Sequence, residues 1–205
     1  HFADEGGMDS GHVRMFDWDG ASWVQKGQTI VGSYGDQSGA VELNAEGDVA
    51  IIGAPFNDSS GNNAGQARVF KWDGSNWSQL GESIVGLSND DWEGRVVHIN
   101  DEGDVLVTGA IFNDSQGSNS GMARVFQFDG QNWTQRGQSI YGTQSSENFG
   151  VDVALDADGD RLVVGAQYTN HQGKHAAGSV RVFEFPSSSL SSIDLIGNST
   201  ESLGT

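Results

Sequence analysis

From Ser38 to Gly86 the chain alternates short apolar runs with polar turns. GAVELN is followed by the turn Ala45-Glu46-Gly47, then by DVAIIGAP. The polar stretch FNDSSGNNAG comes next, then QARVFKW, the turn Asp73-Gly74, and NWSQLGESIVG. Runs of this length, rich in Val, Ile, Phe and Trp and bounded by Gly, Asn and Asp, predict four β-strands, A to D. Gly47 and its counterparts Gly103 and Gly159 suit hairpin turns closed by a left-handed residue, which glycine adopts without steric cost. The alternation of apolar and polar positions is incomplete. In RVFKW, residues Val69, Phe70 and Trp72 do not share one face, so the strand is apolar on both sides and predicts a sheet covered on both sides.

The pattern recurs. GHVRMFDWDG, GQARVFKWDG, GMARVFQFDG and GSVRVFEF begin at Gly11, Gly65, Gly121 and Gly178, at spacings of 54, 56 and 57 residues. A repeat of this length is a module that must stack on its neighbours to bury its apolar face. The expected fold is all-β: a β-propeller of four-stranded antiparallel blades. A β-solenoid is the competing arrangement, but its coils are usually shorter. Residues 1–37 are expected to supply only an outer half-blade, strands C and D. Residues 38–93, 94–149 and 150–205 each supply a blade, the last with a Ser-rich fourth strand and connector. The total of about 3.5 blades reads as part of a larger propeller or repeat array. The rival is a four-bladed ring completed by an A–B pair from another chain.

The A–B strand pair carries a family likeness. Phe149-Gly150 precedes VALDADGDRLVVGAQ, and the end of strand B reads Gly53-Ala54-Pro55, Gly109-Ala110-Ile111 and Gly165-Ala166-Gln167. This resembles the FG-GAP repeat of integrin alpha-subunit propellers and their microbial and algal relatives. Glu93-Gly94 and Gln37-Ser38 stand where the other copies would have Phe-Gly. The resemblance implies a propeller of about seven blades and a role in extracellular recognition or adhesion rather than catalysis. It also implies calcium. The alternating Asp156, Asp158 and Asp160 are the candidate ligands, although Gly159 interrupts them and no later carboxylate completes a cage of six to eight oxygens. The competing reading is a hairpin turn whose Asn or Asp bonds its own backbone.

Composition narrows the function classes. The 205 residues include 30 glycines, 2 prolines and no cysteine, and the formal charge is −18. Disulfides, thiol catalysis and cysteine-bound zinc are excluded. The acidic surface repels phosphate backbones and anionic lipid heads, so neither nucleic acid nor direct membrane insertion is expected. No GxSxG elbow, phosphate-binding glycine loop or paired catalytic carboxylates occur. His171 and His175 are close, but in a glycine-containing loop they read as surface residues. A non-enzyme is expected, without cofactor apart from the calcium that the resemblance suggests.

Candidate binding residues fall in the B–C loops and D–A connectors, which strand alternation places on one face. Asp58 and Asp114, with Asp4 as their equivalent, form an acidic set there. Trp92 occurs once, in the connector SNDDWEG, and reads either as a ligand contact or as a plug. The repeated pairs Trp18/Trp23, Trp72/Trp77 and Phe128/Trp133 read as packing or as sugar-stacking surfaces. Arg14, Arg68, Arg124 and Arg181 share one repeat position and read as structural. Asn57, Asn76, Asn113, Asn132 and Asn198 stand in Asn-x-Ser/Thr acceptor triplets for N-glycosylation. These triplets point to the secretory pathway and to an extracellular or cell-surface glycoprotein. The functional expectation is a non-catalytic adhesion, interaction or assembly module. The alternative is a carbohydrate-binding, lectin-like propeller. The partner would be a protein or glycan at the loop face, with neighbouring copies or further blades of the same protein beside it.

Overall fold

The computed structural model describes residues 4–185 and a strand at residues 191–193. Asn198 and the connector beyond Ile193 lie outside the described residues. Among the described residues every regular element is a β-strand.

The first strands are short: β1 (His12–Val13), β2 (Phe16–Trp18), β3 (Trp23–Gln25) and β4 (Ile30–Val31). They pair as β1–β4 and β2–β3. Next come β5 (Ala40–Leu43), β6 (Val49–Ala54), β7 (Gln66–Trp72), β8 (Trp77–Gln79) and β9 (Ile84–Val85) in one antiparallel sheet. The pattern repeats in β10 (Val96–Ile99), β11 (Val105–Ala110), β12 (Met122–Phe128), β13 (Trp133–Gln135) and β14 (Ile140–Tyr141). The last sheet holds β15 (Phe149–Leu155), β16 (Arg161–Ala166), β17 (Ser179–Glu184) and β18 (Ser191–Ile193). Among the described residues no sheet closes on itself.

Local chemistry sets these boundaries. In the β5–β6 hairpin the Asn44 carbonyl oxygen accepts from the backbone N–H of Asp48 and Val49, and its amide donates to Asp48 Oδ1 at 2.9 Å. Asn100 and Asp104 repeat this in the β10–β11 hairpin. In the turn after β7, Asp73 Oδ1 accepts from the N–H groups of Ser75 and Asn76, each at 2.8 Å. Asp19 and Asp129 do the same. These bonds to the charged form hold the three carboxyls below the usual range.

The fourth run, NWSQLGESIVG, is not one strand. β8 pairs with one end of β7 (Phe70–Trp72) and β9 with the other (Gln66–Ala67). Between them Gly81 takes φ +71°, and a Cβ there would lie 2.9 Å from Trp133 of the next sheet. The break in pairing there sets Gly81 against the neighbouring sheet's aromatic pair, Phe128 and Trp133.

Apolar clusters fill the spaces between successive sheets, as strands apolar on both faces require. Val49, Ile51 and Val69 meet Val97, Ile99 and Leu106. Val105, Val107 and Val125 meet Val153, Leu162 and Phe183. Met15 and Ile30 meet Ala50, Ile52 and Phe70.

Candidate functional site

The loop face is assembled from the segments before β1, β7, β12 and β17 and from the connectors leading into β5, β10 and β15. Its framework rests on one repeated contact. Asn57 donates its amide to the buried Asp36 carboxylate at 2.9 Å, and Asn113 donates to buried Asp91 at 3.0 Å. Thr169 donates to buried Glu147 at 3.1 Å. Each carboxylate also accepts from its own connector: Asp36 from Ser33 N–H, Asp91 from Ser88 N–H, Glu147 from Thr143 and Gln144 N–H. These bonds tie the connector into one sheet to the next loop of that sheet. Burial raises the Asp91 pKa above the ordinary carboxylate value, opposed by the bonds from Asn113 and Ser88 and by the charge of Arg124.

This contact engages the asparagines of two acceptor triplets. Asn57 and Asn113 are buried, and the amide nitrogen that would carry a sugar is the one that donates to Asp36 or Asp91. The folded chain does not present them. Asn76 is exposed in the β7–β8 turn and Asn132 half-buried in the β12–β13 turn.

The three loop aspartates occupy equivalent positions, and the structure gives them a closing role. Asp4, Asp58 and Asp114 each accept from the N–H five residues on, at Asp9 (2.9 Å), Asn63 (2.7 Å) and Asn119 (2.7 Å). All three receiving residues are left-handed, with φ of 54°, 47° and 51°. The aspartates remain exposed at the loop face. The structure does not gather Asp156, Asp158 and Asp160 into a metal cage. Asp156 Oδ1 closes the hairpin by accepting from Asp160 and Arg161 N–H, and Asp160 Oδ1 lies 2.7 Å from Arg136 Nη2. Among the described residues no group of three His, Asp or Glu side chains is placed to hold a metal ion.

Trp92 is half-buried, with φ +58°. Phe56 and Phe112 meet it edge-on from the two flanking loops, each with ring centroids 4.5 Å away. The ring bridges two sheets at the loop face instead of standing free. The repeated aromatic pairs pack between sheets as well. Trp77 Nε1 donates to Lys26 carbonyl and Trp133 Nε1 to Leu80 carbonyl, each at 2.9 Å. Trp72 and Trp77 close over Gly27 as Phe128 and Trp133 close over Gly81. Trp18 and Trp23 are the pair that stays exposed.

The repeated arginine ties the sheets together. Arg68, Arg124 and Arg181 donate to the carbonyls of Val31, Val85 and Tyr141 in the preceding unit, at 3.3, 2.6 and 2.6 Å. Within its own sheet Arg181 lies over the Phe149 ring at 3.7 Å, whereas Arg124 pairs with buried Glu93 at 3.0 Å. The Phe-Gly and Gly-Ala-Pro segments also meet. A Cβ on Gly53 would lie 2.0 Å from Gly94 carbonyl oxygen, and one on Gly109 would lie 2.3 Å from that of Gly150. Only glycine permits that backbone contact between successive sheets.

What the loop face exposes is apolar as well as acidic. Met8, Tyr34, Leu87 and Tyr168 are exposed, all on these loops and connectors. Gly35 N–H donates to Met8 carbonyl at 3.0 Å, which holds the Met8 and Tyr34 loops together. Sequence reasoning passed over these four residues because single apolar residues in polar loops carry no periodic signal.

Residues 142–183 match the family model of the FG-GAP repeat. No curated protein matches the chain. Solved structures do. One is a protein of Lactobacillus plantarum, 17% identical with a TM-score of 0.56, covering 89% of this chain and 48% of that one. Another is a 6-phosphogluconolactonase-like protein of Bacteroides fragilis, 15% identical with a TM-score of 0.55, covering 85% of this chain and 43% of that one. A third is Kuenenia stuttgartiensis hydrazine synthase, 14% identical with a TM-score of 0.53, covering 90% of this chain and 48% of that one. These are β-propeller-like folds, and the likeness is one of fold. The chain spans a little under half the length of each.

Proposed function

We propose that the chain is a non-catalytic, extracellular interaction module that binds a protein partner through its loop face. Its sheets act as blades of a larger propeller, three whole and one represented by its outer half. The observation that carries the reading is the placement of Tyr34, Leu87 and Tyr168, exposed on segments that buried carboxylates hold in place, with exposed Met8 tied to the Tyr34 segment through Gly35 N–H. Exposed aromatic and aliphatic anchors on a rigid frame, with exposed Asp4, Asp58 and Asp114 on the same set of loops, suit a protein contact with a basic or mixed rim. The acidic surface speaks against nucleic acid and anionic membranes as partners. Asn76 as an open glycan acceptor is compatible with a secreted or cell-surface location.

The test is a binding screen against arrays of secreted proteins and of glycans, repeated with a Tyr34→Ala, Leu87→Ser variant. A saturable protein partner lost in the variant, at unchanged Tm, supports the reading. Saturable glycan binding that disappears in Trp92→Ala would establish the carbohydrate-binding alternative instead. No saturable partner of either kind contradicts both.

A further inference from the structure

We infer that the groove between residues 11–18 and β5 is the acceptor site for a β-hairpin of the chain's own A–B type, supplied from outside the described residues. The inference rests on the blade reading above and names the place where the next piece docks.

Equivalent positions carry the argument. Val97 and Ile99 on β10 are 7% and 3% exposed, and Val153 and Leu155 on β15 are 5% and 8% exposed. The β10 pair is covered by Val49 and Ile51 of the preceding β6, and the β15 pair by Val105 and Val107 of the preceding β11. Val41 and Leu43 stand at the same positions of β5, yet are 51% and 48% exposed. What distinguishes them is the neighbour. Residues 11–31 provide outer strands, and no described strand stands where β6 stands for β10. A groove of about 850 Å³ opens there, lined by Val13, Met15, Phe16, Trp23, Val41 and Leu43. It continues the apolar interface in which Met15 and Ile30 already meet Ala50 and Ile52.

The backbone shows the same vacancy of pairing. β7 and β12 each run unbroken for seven residues, each paired along six positions with its B strand. The corresponding strand at the groove is split into β1 and β2, with Arg14 outside any ladder and the Met15 carbonyl accepting from Lys26 N–H at 2.9 Å on the side of β3 and β4. β1 pairs with β4 and β2 with β3, and among the described residues no strand pairs along their other edge, which is a template for strand addition. Arg14 points to the same occupant. Arg124, its equivalent, is buried against Glu93 and β11, whereas Arg14 is exposed at the groove. The incoming hairpin brings a strand of β6 type against the edge, Val or Ile onto Val41 and Leu43, and an acidic or aromatic residue to Arg14.

The experiment adds to the full chain a peptide with the sequence of residues 93–111, which carries the β10–β11 hairpin and Glu93. Isolated hairpins are marginally stable, so a second protein carries the same segment tethered to its N-terminus through a flexible linker. Expected are saturable binding with a change in Trp23 fluorescence, new hydrogen-exchange protection at Phe16–Trp18, and a raised Tm in the tethered form. Leu43→Glu sits on an exposed position and leaves the fold intact, but weakens binding about tenfold or more by setting a charge against apolar surface. Absence of protection at Phe16–Trp18 in the tethered form, or binding indifferent to Leu43→Glu, overturns the inference. Either failure leaves loop-face recognition standing, because Tyr34→Ala, Leu87→Ser tests that separately.

Discussion

The Arg124 guanidinium lies 3.0 Å from the Glu93 carboxylate, at the repeat position where Arg181 lies 3.7 Å from the Phe149 ring. Two chemistries thus hold one arginine in place: an ion pair and a cation–π stack. The neighbour on the middle strand changes with them. Thr108 donates to Glu93, whereas Val164 stands at the equivalent place beside Phe149. Removing one partner of a buried ion pair costs about 3–5 kcal/mol, so Glu93→Ala is expected to fall in that range. Glu93→Phe combined with Thr108→Val gives Arg124 a ring instead, and is expected to lose clearly less than Glu93→Ala. Urea unfolding measures both; equal losses would count against the interchange.

The aromatic pairs make a second contrast. Trp77 is 3% exposed and Trp23 is 68% exposed, although they hold the same repeat position. Truncating a buried Trp costs about 3–5 kcal/mol, the loss expected of Trp77→Ala. Trp23→Ala is expected within about 0.5 kcal/mol of the parent, as for an ordinary surface change. Similar losses at both positions would mean that Trp23 is covered in solution.

Asn113→Ala leaves the buried Asp91 carboxylate without its partner from the next loop. The expected loss is about 1–3 kcal/mol. Hydrogen exchange should also rise in the connector around Trp92, because the tie between the two segments is gone. A loss of stability without local exchange would place the effect elsewhere.

The pH dependence has two opposing parts. Asp19, Asp73 and Asp129 are held below the ordinary value of 3.8 by bonds from backbone N–H groups. The stability they add is present above 3.8 and is lost as pH falls through their lower folded values. Asp91 runs the other way. Burial raises its pKa, so its contribution is full below 3.8 and is lost as pH rises through its folded value. Asp91→Asn keeps an oxygen to accept from Asn113 and Ser88 and removes the charge. Its urea midpoint is therefore expected to gain on the parent as pH is raised from the acid side toward neutrality. Curves that stay parallel would exclude Asp91 as the source.

The strands A to C were legible because their signals are local. GAVELN, DVAIIGAP and QARVFKW carry β-forming residues between turn residues, and they became β5, β6 and β7. The break in the fourth strand was harder to read, since Gly81 packs against Trp133, a residue of the next sheet. The same distance hid the carboxylate contacts. Asp36 and Asn57 lie 21 residues apart, Asp91 and Asn113 22, so no local pattern links them. Their signal was available only in the repeat, where an acid and its donor recur 21 or 22 residues apart. The triplet pattern singled out Asn57 and Asn113 on local grounds, while burial gives them a structural task. The exposed Val41 and Leu43 could not be told from their buried equivalents by residue type, because the difference lies in the neighbouring strand.

The account depends above all on successive sheets packing face to face. Methyl–methyl nuclear Overhauser effects in protein labelled at Ile, Leu and Val test this directly. Cross-peaks are predicted between Val49 or Ile51 and Val97 or Ile99, and between Val105 or Val107 and Val153 or Leu162. A spectrum in which Val49, Ile51, Val105 and Val107 show contacts only within their own sheets would contradict the stacked arrangement.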